Sequence, residues 1–109
     1  MCRAVKVMCV AGDADALSVL KRAAVSAAWE LTSGATDERM ALDEIDIERP
    51  HVLVVFGGFP LLLQRVADRF PGMRVISDRQ AQGVTAVAQS LDEVRLLIKG
   101  MPKPGGPVT

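Results

Sequence analysis

Five consecutive residues, Val52-Leu53-Val54-Val55-Phe56, are apolar without a break. A strand with one face in water alternates apolar and polar residues. One that is apolar throughout is buried on both faces, the mark of a parallel sheet covered by helices on each side. This segment directs the chain to an α/β architecture, in which the other segments supply flanking strands and covering helices. The chain has 109 residues. Surface scaling gives roughly 5,900 Å² folded against roughly 17,000 Å² unfolded, so one domain can build its core without metals or disulfides.

Around the central strand the periodicities alternate. Ala4-Val5-Lys6-Val7-Met8-Cys9-Val10 is apolar apart from Lys6 and predicts a strand, followed by a turn at Ala11-Gly12-Asp13. Asp13 and Asp15 stand where helix caps belong, and Leu17, Leu20, Ala24 and Ala27 recur at helical spacing. Trp29 to Thr32 predicts a short second strand. Asp37 and Glu38 suit a first helical turn, and Met40, Ala41, Leu42 and Ile45 supply its apolar face before Arg49-Pro50 ends it. Pro60 opens the next helix, with Leu61, Leu62, Val66 and Phe70 as its apolar face, and Pro71-Gly72 breaks it.

Arg74-Val75-Ile76-Ser77 predicts a fourth strand and residues 84–88 a fifth. Ser90 and Glu93 have capping-box spacing, ahead of a helix carrying Leu91, Val94, Leu97, Ile98 and Met101. The order predicts a doubly wound, five-stranded, mainly parallel sheet over residues 4–101, with a flexible tail or linker over 102–109. The polar loop at 78–83 is too short for a helical crossover, which normally takes about ten residues. The fourth helix is therefore shortened or missing. The fifth strand is either brief and late or an antiparallel edge.

Composition excludes several functions. Lys plus Arg and Asp plus Glu each number 13, so bulk charge disfavours nucleic acid and leaves only a local basic patch as a route to it. Aromatics are 4% with no Tyr, which disfavours a base-stacking platform. Cys2 and Cys9 on one strand stand too far apart to bridge, and free thiols suit a reducing compartment. No apolar run approaches the roughly 20 residues of a membrane span. The strand-like beginning is unlike a signal peptide, so a cytoplasmic location and no membrane partner are expected. One His leaves almost no material for a His-based metal site or a Ser-His-Asp triad.

From about Lys6 to Lys99 the chain resembles the receiver (CheY-like) domains of response regulators, which have a flavodoxin-like fold. The resemblance lies in the order of elements and three phrases: Val10-Ala11-Gly12-Asp13-Ala14-Asp15, Glu48-Arg49-Pro50-His51-Val52, and Leu91-Asp92-Glu93-Val94-Arg95-Leu96-Leu97. It implies a signalling role in two-component or transcriptional regulation, through protein partners. Receivers hold Mg²⁺ with two acidic residues. They carry an Asp nucleophile after the third strand, a hydroxyl after the fourth and a Lys after the fifth. Here these positions fall on Ala11 and Gly12 (with Asp13 one step beyond), Phe56, Ser77 and Gln89. Only the hydroxyl is kept, and no Asp or Glu lies between Pro50 and Pro60. A pseudo-receiver without catalytic residues, metal or cofactor is expected.

The remaining candidates have plain readings beside functional ones. Gly57 and Gly58 before Pro60 form a tight turn or, alternatively, a phosphate-binding loop serving a small ligand. Asp13 and Asp15 are helix caps or remnants of a metal site. Cys9 is a buried structural thiol or, faintly, a phosphocysteine; Asp at position 15 excludes a Cys-x5-Arg loop. Loss of the fourth helix would uncover Val84, Ala86 and Val87 on the sheet, with Val94 and Leu97 on the last helix. That face is the expected interface for a homodimer or protein partner, and an output domain is expected beyond the tail.

Overall fold

The computed structural model describes residues 5–26, 29–57, 59–70, 72–81 and 84–100. Cys2, Ala27, Gly58, Pro71, Met101 and the tail over 102–109 lie outside them. Five strands form one sheet: β1 (Val5–Val10), β2 (Trp29–Leu31), β3 (Val52–Val55), β4 (Arg74–Ser77) and β5 (Ala86–Val87). Four helices cover it: α1 (Ala14–Ala24), α2 (Glu38–Glu48), α3 (Pro60–Arg69) and α4 (Leu91–Gly100). The strand order is β2-β1-β3-β4-β5, and every pairing is parallel.

All four residues of β3 are buried, as its unbroken apolar sequence requires. Alternation along the strands sorts side chains into two cores. Val7, Cys9, Val52, Val54 and Ile76 pack against Leu20 and Ala24 of α1 and Val94 and Ile98 of α4. Met8, Val10, Leu53, Val55 and Val75 pack against Ala41 and Ile45 of α2 and Leu62, Leu63 and Val66 of α3. A fully buried Val or Leu contributes about 1.5–3 kcal/mol, so these two layers hold the domain.

Local details refine the sequence expectations. Asp13 is the α1 cap, its Oδ1 accepting from Ala16 N at 2.8 Å, while Asp15 lies in the first turn. Asp37 caps α2 in the same way through Met40 N. Met40 and Leu61 do not belong to their helices' apolar faces: they are 52% and 60% exposed. Each is one residue, about 100° of helix, off the buried stripe. The Ser90–Glu93 contact in the structure is a backbone one, Glu93 N to Ser90 O at 3.2 Å.

The fifth strand is brief and late, over two residues rather than 84–88, and it is parallel. No helix lies in the described part of the β4–β5 crossover. Thr85 instead ties it to β4, its N–H bonding Val75 O at 2.8 Å and its hydroxyl accepting from Val75 N at 3.1 Å. The expected uncovered face is accordingly corrected. Val84, like Phe70, Met73 and Ala81, packs against the α2/α3 layer, whereas Ala86 packs against the α1/α4 layer. Val94 is fully buried beneath α4 and has no surface to offer a partner. Val87 and Leu97 remain half-buried.

Candidate functional site

The sheet reverses its winding between β1 and β3, and in such sheets ligand crevices lie outside the carboxyl ends of the strands at that point. The β1 end is bound closely to its neighbours. Phe56 N donates to Val10 O at 2.9 Å, and Ala35 N donates to Cys9 O at 3.1 Å. Gly34 makes the second contact possible. Its φ is +85°, and a Cβ there would stand 2.8 Å from Cys9 O and 3.0 Å from Leu17. Glu44 holds the same loop by accepting from Gly34 N at 2.6 Å and Thr32 Oγ1 at 3.0 Å.

A cleft of about 760 Å³ opens above these strand ends. On one side stand Asp13, Asp15 and Val19 at the start of α1; on the other stand Gln89, Ser90 and Leu91 where β5 passes into α4. Phe56 and Asp78 lie between them. Phe56 is half-buried against the α1/α4 core and forms a wall of the cleft without filling it.

The six receiver-like positions separate. Asp13, Phe56 and Gln89 meet in the cleft. Ala11 is buried in the core and Gly12 is exposed. Ser77 is 1% exposed and turned into the fold, its Oγ accepting from Arg79 N at 3.3 Å and lying 3.5 Å from Asp78 Oδ1. Asp78 is the residue that sequence reasoning passed over as loop. Its Oδ2 accepts from Gly57 N at 3.3 Å, and its Oδ1 pairs with Arg79 Nε at 3.2 Å. Burial acts to raise the Asp78 carboxyl, but hydrogen bonds from Arg79 and Gly57 N–H outweigh it and hold the pKa below the ordinary value. Its position directly after a strand end was the available signal.

The Gly57 turn therefore directs its N–H at a carboxylate of the same chain, with φ +108°. Cys9 is 1% exposed, and burial pushes its thiol up to about 12, so it is no nucleophile at neutral pH. His51 accepts from Lys6 N through Nδ1 at 3.0 Å, which locks β3 to β1. Among the described residues no three His, Cys, Asp or Glu side chains are grouped to hold a metal ion, and no helix is long and apolar enough to cross a membrane.

No protein-family model and no curated protein matches the chain. Solved structures do. A signal receiver domain of an HD domain-containing protein from Pseudomonas fluorescens superposes with a TM-score of 0.73 at 14% identity, covering 89% of this chain and 93% of that one. A CheY-like response regulator receiver domain protein from Methanospirillum hungatei gives 0.71 at 16% identity, covering 89% and 92%. A cobalamin-binding protein from Desulfitobacterium hafniense gives 0.62 at 14% identity, covering 89% of this chain but 58% of that one. At these identities the likeness is one of architecture: the chain has the CheY-like, flavodoxin-like α/β fold, and receiver domains of response regulators are among its structural neighbours.

Proposed function

We propose that this chain is a receiver-like regulatory domain that has lost phosphoryl transfer and acts through protein contact. The observation that carries the reading is Phe56. It follows β3 at the position where the receiver resemblance calls for an acidic nucleophile, and its ring has nothing to accept a phosphoryl group. The Mg²⁺ that accompanies that chemistry does not fit these residues either. Ala11 and Gly12 offer no carboxylate, and Asp13 is engaged as the α1 cap. Gln89 brings no positive charge to neutralise a phosphoryl group.

In this reading the domain is not an enzyme and carries no cofactor. It works in the cytoplasm, in two-component or transcriptional regulation, with an output domain beyond the tail. Its partner is a second copy or another protein, meeting the β5 edge through Val87 and Leu97. Light scattering should report a mass near twice 11.7 kDa, and Leu97→Glu should lower it toward monomer. A monodisperse monomer with no recovered partner counts against the association. Calorimetric titration with Mg²⁺ should show no micromolar binding; micromolar affinity would overturn the degenerate-site reading.

A second reading is a small-ligand domain using the Gly57–Gly58 loop, and the cobalamin-binding neighbour belongs to that class by its description. It is the weaker one. Gly57 N–H already donates to Asp78 and is not free to bind a phosphate.

A further inference from the structure

The chemistry of the cleft is not explained by the loss of phosphoryl transfer alone. Among the described residues its lining includes three carboxylates, Asp13, Asp15 and Asp78, and no basic side chain. Between them lie apolar surfaces, chiefly the half-buried Phe56 ring and the half-exposed Val19. The end of the molecule that holds the cleft is acidic beyond its rim: Glu38, Asp92 and Glu93 occupy first turns of α2 and α4. Arg22, Arg69 and Lys99 occupy last turns at the opposite end.

Two opposing effects decide the sign at the cleft. The α1 and α4 N-termini each bring about half a positive charge, which favours anions. Asp78 and Arg79 cancel as an ion pair, which leaves the full charges of Asp13 and Asp15 against the two half-charges, and Asp13 already caps one of those ends. An entering anion is therefore repelled and a cation drawn in. The carboxylates are not grouped to chelate a metal ion. They are set around apolar surface, an arrangement that suits a cationic head on an apolar stem. Guanidinium meets both requirements: it donates to carboxylates and stacks on an aromatic face such as Phe56.

We propose that this cleft docks a basic, amphipathic segment of a protein partner, with an arginine seated between Phe56 and the carboxylates. The proposal rests on the protein-contact reading above and adds to it a second contact, in the cleft, apart from Val87 and Leu97. It is tested by titrating the full chain with a short peptide of Arg, Leu and Ser and following amide shifts by NMR. A peptide with Glu in place of Arg and inorganic phosphate serve as controls. The Arg peptide should give saturable shifts at Asp15, Val19, Gln89 and Leu91, and neither control should. Asp15→Lys should weaken binding about tenfold and Gln89→Glu should tighten it about threefold, as expected for charge changes at a partly shielded cleft. Neither residue makes a cap hydrogen bond or a core contact, so Gln89→Glu should melt near wild type and Asp15→Lys, which loses a favourable first-turn charge, slightly below it. Absence of saturable shifts, equal binding of the Glu peptide or phosphate, or indifference to Asp15→Lys would each overturn the proposal. Such a failure in a chain that still refuses phosphorylation removes the docking site alone. A chain that does take a phosphoryl group removes the reading beneath it.

Discussion

The two sides of the sheet are built differently. From β2 through β1 to β4, each crossover carries a full helix, and the two central strands, β1 and β3, are largely or wholly buried. Between β4 and β5 the chain returns through residues 78–85, and the strand it reaches has two residues, both half-buried. The first side is held by apolar burial on both faces. The second is held by specific hydrogen bonds, from Thr85 to Val75 and from Ala88 N to Ser77 O at 2.8 Å. A parallel sheet can thus be closed by a short crossover when side-chain and backbone bonds replace a covering helix.

Substitutions should expose that difference. Leu53→Ala removes a fully buried side chain from the centre of the α2/α3 layer and should cost about 2–5 kcal/mol in urea unfolding. Val87→Ala on β5 should cost below about 1 kcal/mol. Equal costs would mean that β5 is as much a part of the core as β3. Gly34→Ala should be next in size, at about 2 kcal/mol or more, because both its φ and the approach to Cys9 O exclude a Cβ. A neutral result would show that the β2–α2 loop yields easily.

The smallest effect belongs to Asp78, which links the two sides through Gly57. Its carboxyl is held below the ordinary value of about 3.9, so its contribution is present above that pH and is lost as pH falls through the folded-state value. Asp78→Asn should therefore be slightly less stable than wild type near neutral pH. The gap should close below about pH 4 in a denaturation series. A gap that widens in acid would show that the carboxylate is not what joins the loops.

What was legible in the sequence follows the same division. β3, β4, the cap Asp13 and the acidic start of α2 could be read because each depends on neighbours in sequence: an apolar run, or an acid at the start of a helix. The shortened crossover was also legible, from the count of residues after Ser77. The length and direction of β5 were not, since they depend on Thr85 and Ala88 meeting β4. Val94 reads as surface only if a missing helix bares everything near it, yet α4 packs on the other face of the sheet. The role of Asp78 was hidden because Gly57, its partner, lies 21 residues away.

Incubation of the full chain with acetyl phosphate and Mg²⁺, read by intact-protein mass spectrometry, tests the central claim most directly. The account predicts no added phosphoryl group on the wild type. It predicts none on Phe56→Asp either, because Ala11, Gly12 and Gln89 still leave the metal and the transferred group without partners. A stoichiometric aspartyl phosphate on the unaltered chain would contradict it.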